Sequence, residues 1–497
     1  MKTIILGSLS AASKVLGLMV VAMAGGCRAQ PVPPEKAQAG SSAPLDARSF
    51  KGFGAIGDGR ADDTQAIRRA FADSDLYCLD GGGKTYRVVG TLRVAKNLCL
   101  RNATFVQAAV PVDTARYIVG ICPTVVDPAA VVDCKDPIVP PERLGLLWES
   151  LSIRTLLIRP GGDRPIRVRL DRVKIDRGPH AEQGSRSDSA GIWLDGAESV
   201  DFRNVEITGN GKGYGLFITN ARNVTLTNLW VHDLVWAPYR GDKPLIRSAI
   251  NAAGWNSVPI HEFREQRSGR RAAAKFYGVR VQEQLTCVSL ANVAHVRIEN
   301  VRVERCMARF DGGDLPWQTD GLDIGRSSSD ISIQGGRIDS AWEGVDVAAG
   351  GDGIDGLRID GLSISNAFSF GLKMGYQLRN ARVSDLVVRG AGLAGIVLYG
   401  PVRGVRISRA SAENVGTLFG SGGAYSPWPR GNRAGIRLDG NPGSTPEDIV
   451  IEDARVSGSP SEFEFGILNT GGRQIQLIRF KAQGFGSERT RGIEGAH

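Results

Sequence analysis

The chain has 497 residues, of which 42% are hydrophobic and 23% charged, so wholesale disorder and collagen-like structure are both excluded. With 64 Gly it is rich in residues that make tight turns, and its length suits either several domains or one long repetitive one. The formal net charge of +9 favours anionic partners, whether nucleic acid, acidic lipid or acidic polysaccharide, and composition alone does not choose among them.

The N-terminal end reads as an address. Lys2 precedes an apolar stretch whose clean core is Val15 to Ala24, too short to span a bilayer permanently but suited to a signal peptide. Ala24-Gly25-Gly26-Cys27 follows, and small residues just before a Cys resemble the lipobox of bacterial lipoproteins, with Ala24 standing where that pattern prefers Leu. The resemblance implies a leader over residues 1–26, a lipidated Cys27 and attachment to an outer membrane, periplasmic or at the cell surface. Cleavage by the ordinary signal peptidase is the alternative. Residues 27–46, rich in Pro, Ala, Gln and Ser, read as a flexible tether. Six further cysteines remain, an even number that suits disulfides in an exported chain. Sequence neighbours pair as Cys78 with Cys99, Cys122 with Cys134, and Cys287 with Cys306.

The domain at 47–497 opens with a predicted helix near 62–73, in which Asp62 or Asp63 can cap an apolar face of Ala66, Ile67, Ala70 and Phe71. From about residue 150, short alternating strands recur at intervals in the low to middle twenties, punctuated by Gly, Asn or Asp. No long helical period interrupts them. Asn204, Asn223, Asn300 and Asn380 fall where a turn needs a left-handed residue. Such a period predicts an all-β solenoid whose coils each stack on their neighbours.

The run Phe53-Gly54-Ala55-x-Gly57-Asp58-Gly59-x-x-Asp62-Asp63-Thr64-x-Ala66-Ile67 resembles the opening of the pectate-lyase superfamily. The resemblance implies a right-handed parallel β-helix with an N-terminal capping helix, and a structural role for Asp62 and Asp63. It also implies a range of activities that includes polygalacturonases, uronate lyases, epimerases and phage tailspikes.

Three coils then align on a glycine: Thr319-Asp320-Gly321-Leu322-Asp323-Ile324, Trp342-Glu343-Gly344-Val345-Asp346-Val347 and Phe370-Gly371-Leu372-Lys373-Met374. Ala394-Gly395-Ile396-Val397-Leu398 follows. Residues one and three places after each Gly point inward, and those two places after it point outward. Asp323, Asp346 and Lys373 are therefore expected as an exposed ladder. Strict alternation sends Asp320 and Glu343 inward, but burying two unpaired carboxylates is costly, and the preceding turn can re-aim them. Four carboxylates on two adjacent coils raise one another's pKa values, as a general acid needs.

The first of these strands resembles the Asn-Thr-Asp-Gly-x-Asp strand of polygalacturonases, which implies a catalytic Asp320. Their Asp-Asp pair falls on Glu343 and Gly344, their Gly-His-Gly on Ser369-Phe370-Gly371, and their Arg-Ile-Lys strand is absent near Ile396. The carboxylates persist while the galacturonate-specific parts do not.

Trp317, Trp342 and Tyr376 flank the ladder as sugar-stacking candidates. Two long interruptions, near 236–284 with Trp255 and near 417–433 with Trp428 and Arg430, read as substrate-binding arms. Outside the arms, His180, His232, His295 and His497 show no metal or triad spacing.

These features predict an exported enzyme acting on a polysaccharide, of the acidic kind, along the side of a β-helix. In the hydrolytic form Asp320 or Glu343 protonates the leaving oxygen while another carboxylate activates water, and no cofactor is needed. In the lyase or C5-epimerase form Lys373 abstracts the uronate C5 proton, with calcium on Asp323 and Asp346. A non-catalytic glycan-binding β-helix is the third reading. Nucleic acid is disfavoured as a partner, since the charge forms no basic runs and the leader implies export.

Overall fold

The computed structural model describes residues 47–73, 78–108, 154–178, 190–209, 214–234, 285–306, 319–325, 327–348, 353–375, 377–415, 434–440, 443–458, 465–484 and 490–491. Cys27, Cys122, Cys134, both arms, Trp317 and Tyr376 lie outside these ranges.

Every strand pairing among the described residues is parallel and joins one coil to the next. A typical coil has three walls. The first carries the glycine-aligned strands Thr319–Gly325, Val345–Ala348, Phe370–Gly375, Ala394–Tyr399, Ala434–Asp439 and Phe465–Asn469. The second is represented by Ile354–Asp360 and Leu378–Ser384, and the third by Ser363–Ser365 and Val387–Arg389. The fold is the right-handed parallel β-helix that the opening motif implied.

Alternation fills the interior. Leu322, Val345, Leu372, Ile396, Ile324, Val347, Met374 and Leu398 are all fully buried, in a core continuous from Phe50 to Ile467. The corners are turned by left-handed residues: Asn204, Asn223, Asn300 and Asn380 have φ of 53°, 49°, 53° and 57°. Their amides stack from coil to coil, Asn300 Nδ2 donating to Asn228 Oδ1 at 2.9 Å and Asn228 Nδ2 to Asn204 Oδ1 at 3.0 Å. A short amide side chain tolerates the left-handed conformation and bonds its copy above, which is why this turn recurs.

At the N-terminal end a helix spans Thr64–Ala72 and buries the expected face, Ala66, Ile67, Ala70 and Phe71. Phe71 joins Phe50, Tyr86 and Phe105 in an aromatic cluster. Asp62 Oδ1 accepts the Thr64 amide at 3.0 Å, while buried Asp63 accepts the amides of Ile56 and Gly57 at 2.7 and 3.0 Å. Disulfides join Cys78 to Cys99 and Cys287 to Cys306, with Cα atoms 4.5 and 6.0 Å apart.

Candidate functional site

The glycine at the start of each first-wall strand determines which side chains meet. A Cβ on Gly321 would lie 2.5 Å from Ile338 Cγ2, inside the coil, so Gly321 and the next residue, Leu322, both face inward. Two consecutive inward positions break the alternation. Residues on either side of the break, one before the glycine and two after it, therefore share the outer face. Gly344 repeats the geometry, its Cβ direction blocked by Ile364 and the Gly371 carbonyl.

The outer face thus carries two neighbouring columns. One runs Ser289, Asp323, Asp346, Lys373, Val397, Arg437 in strict register. In the other, Thr286 pairs with Asp320, and the Gly321 amide bonds the Glu343 carbonyl, which aligns Asp320 with Glu343. Asp320 and Glu343 do reach the acid ladder, although strict alternation argues otherwise.

The expected exposure is corrected. Asp320, Glu343 and Asp346 are only 0, 3 and 1% exposed. Lys373 reaches back to both columns. Its Nζ donates to Glu343 Oε2 at 3.0 Å and to Asp346 Oδ2 at 3.2 Å. On the following coils Phe368, Phe370, Leu393 and Val397, with Trp342 and Tyr399 against them, form an apolar wall. Trp342 packs on Phe368, ring centroids 4.4 Å apart. Asp323 is half-buried and accepts the Ser289 hydroxyl at 2.8 Å.

Asp320, Glu343 and Asp346 bring one oxygen each within 4.8 Å of the others. Burial first, and then the charges of Glu343, Asp346 and Asp323, raise the Asp320 carboxyl well above the ordinary range. Burial and the Asp346 charge push Glu343 up to about 8, although Lys373 pulls the other way. For Lys373, burial opposes the ammonium form, but Asp346, Glu343 and Asp320 outweigh it and hold the amine above the usual lysine range. The cluster therefore combines a carboxyl that retains its proton near neutrality with a lysine that does not lose its own.

Of the two residues expected to hold calcium in the lyase reading, Asp346 accepts the Lys373 ammonium through Oδ2 and keeps Oδ1 without a partner among the described residues, while Asp323 accepts the Ser289 hydroxyl.

Three groups on the same face escaped sequence reasoning. Thr286 Oγ1, opposite Asp320, is buried without a hydrogen-bond partner among the described residues. Arg437 lies two coils past Lys373, buried and paired with Asp439 at 2.7 Å. Upstream, the columns carry Tyr214, Trp193 and Phe217. Their signal was present: Gly191 and Gly215 hold Trp193 and Phe217 two places on, as Gly321 holds Asp323.

No protein-family model and no curated protein sequence matches the chain. Solved structures do. The chain is similar to the A-module of mannuronan C-5 epimerase AlgE4 from Azotobacter vinelandii, at 13% identity over 91% of this chain and 99% of that one, TM-score 0.45. It is similar to PfbA, a surface adhesin of Streptococcus pneumoniae, at 14% identity over 91% and 96%, TM-score 0.49. The Dettilon tailspike protein shares 12% identity over 88% of this chain and 68% of that one, TM-score 0.50. At such identities the likeness bears on the fold alone, and it is to right-handed parallel β-helices.

Proposed function

We propose that this protein is a β-helix enzyme that hydrolyses glycosidic bonds in an acidic polysaccharide. The observation that carries the reading is the buried cluster of Asp320, Glu343 and Asp346 on the outer face, in which burial and the Asp346 charge push the Glu343 carboxyl up to about 8. A general acid must hold its proton at working pH and yet release it to a leaving oxygen, and a carboxyl so tuned does both. Glu343 is the proton donor. The oxygens of Asp320, Glu343 and Asp346 lie within 4.8 Å of one another. An inverting pair leaves about 6.5–9.5 Å for its water. The three buried groups are closer than that, so in this reading half-buried Asp323, next to Asp346 in the same column, activates the attacking water. Lys373 donates to Asp346 and to Glu343, and so orients the proton donor.

Elimination or C5 epimerisation with Lys373 as base is less well supported, because a base must be neutral and the acidic cluster, Asp346 first, outweighs burial and holds this amine above the usual lysine range. Digestion of a panel of acidic polysaccharides separates the readings. New reducing ends without absorbance of unsaturated uronates are expected. Reducing ends with absorbance contradict hydrolysis in favour of elimination, and the absence of both, with binding retained, favours a glycan-binding protein.

Export and lipid anchoring complete the proposal. The two disulfides support an oxidising compartment. Cys27→Ala is expected to move the protein from the membrane to the soluble fraction, and unchanged partition contradicts the anchor.

A further inference from the structure

The acid cluster has an aromatic counterpart on earlier coils of the same two columns. Tyr214 stands one place before Gly215, as Asp320 stands before Gly321, and Phe217 stands two places after it. Register carries Trp193 to Phe217, Phe217 to Ser289 and Ser289 to Asp323. At ~4.8 Å per coil, Phe217 lies about 10 Å and Trp193 about 14 Å from the Asp323 rung. A segment of 67 residues between Phe217 and Leu285 separates the two groups in sequence, and the fold rejoins them.

The three rings form one assembly. Trp193 meets Phe217 edge-on at 4.4 Å between centroids and Tyr214 at 5.9 Å, while Tyr214 and Phe217 are 4.7 Å apart. Tyr214 is buried beneath, and Trp193 and Phe217 are partly open to solvent. The Arg154 guanidinium lies 4.4 Å over the Trp193 ring. Outward-facing rings are not needed by the core, which is filled by Ile192, Leu194, Leu216 and Ile218.

We propose that Trp193 and Phe217 form a stacking subsite for pyranose rings of the substrate chain, two to three sugar units from the bond that is cleaved. The subsite rests on the polysaccharide reading above. Aromatic faces bind the apolar side of a sugar ring, and the Arg154 guanidinium stacked on Trp193 holds that ring in place. The platform and the acid cluster occupy the same two columns of the first wall, so a chain bound on the platform along the helix axis is directed toward the cluster. Ser289 and Thr286, both buried, stand between them in the two columns.

The test uses oligogalacturonates and oligomannuronates of defined length, from dimer to octamer, with the full-length protein. Calorimetry is expected to show Trp193→Ala and Phe217→Ala weakening the binding of long oligomers about tenfold, with dimers little affected. Trp193→Phe, which keeps a ring, should recover much of the loss, and circular dichroism checks that each variant folds. In turnover, KM for long oligomers should rise while kcat holds, unlike Glu343→Gln, where kcat falls. Long oligomers binding the alanine variants as tightly as wild type would overturn the subsite and leave the polysaccharide reading intact. Failure of every oligomer to bind wild type would overturn both. Self-association that vanishes in Trp193→Ala while sugar binding is unchanged would assign the platform to a second copy of the chain and overturn the subsite.

Discussion

The acid cluster and the ion pairs at the turns use the same residue types to opposite effect. At three of the turns an Asp has its own Arg: Asp385 with Arg409, Asp453 with Arg479, Asp233 with Arg305, each gripped through two guanidinium nitrogens. Hydrogen bonds from those arginines hold the carboxyls below their ordinary values. On the first wall, Glu343 and Asp346 share one lysine, Asp320 is buried beside them, and Asp320 and Glu343 hold their protons more tightly than usual. Charge pairing in water stabilises the ionised acid, whereas burial with too few cations favours the protonated one. The turns support the solenoid. The first wall stores a proton, at a cost in stability that a purely structural surface has no reason to bear.

The comparison breaks most visibly in turnover. Glu343→Gln keeps the shape and removes the proton, and it is expected to lower kcat by about 10²-fold or more. Activity close to wild type would move the chemistry elsewhere. Arg409→Gln, at a turn, should leave turnover unchanged.

A smaller effect is expected in stability. Lys373→Met removes the cation that serves two buried carboxylates, and breaking such a buried pair typically costs about 3–5 kcal/mol. Chemical denaturation at neutral pH measures it. Arg409→Met, at an exposed pair, should change stability least of all, since exposed ion pairs contribute little.

The smallest effect sharpens the contrast by pH. For Glu343 the folded value near 8 lies above the ordinary 4.5. Its contribution is fully present below the ordinary value and is lost as pH rises through the folded one. Wild-type stability should therefore decline between about pH 5 and 8, with a shallower slope in Glu343→Gln. The turn aspartates have the opposite sign: lowered in the fold, they stabilise above the ordinary carboxylate value and lose that contribution as pH falls below it. Acid weakening below about pH 4 belongs to them.

Period-two reading was enough to place Asp323, Asp346 and Lys373 in one outward column, because inward Leu322, Val345 and Leu372 leave no other arrangement. The places of Asp320 and Glu343 were less legible. They depend on the glycine corner, where two successive residues face inward, and an alternating pattern contains no sign of that break. Burial was not legible at all, since a period-two pattern tells which face a side chain takes and not what covers it. The aromatic platform was hidden by distance: the insertion between His232 and Leu285 interrupts the period just where Phe217 meets Ser289.

The central claim is that a carboxyl on the first wall keeps its proton near neutrality. Carboxyl-carbon NMR of the wild-type protein, with the signal assigned by its loss in Glu343→Gln, tests it directly. The account predicts that this signal titrates with an apparent midpoint near about 8, shared with its coupled neighbours. A midpoint in the ordinary carboxylate range, near 4.5, would contradict it and remove the general acid on which the proposed hydrolysis depends.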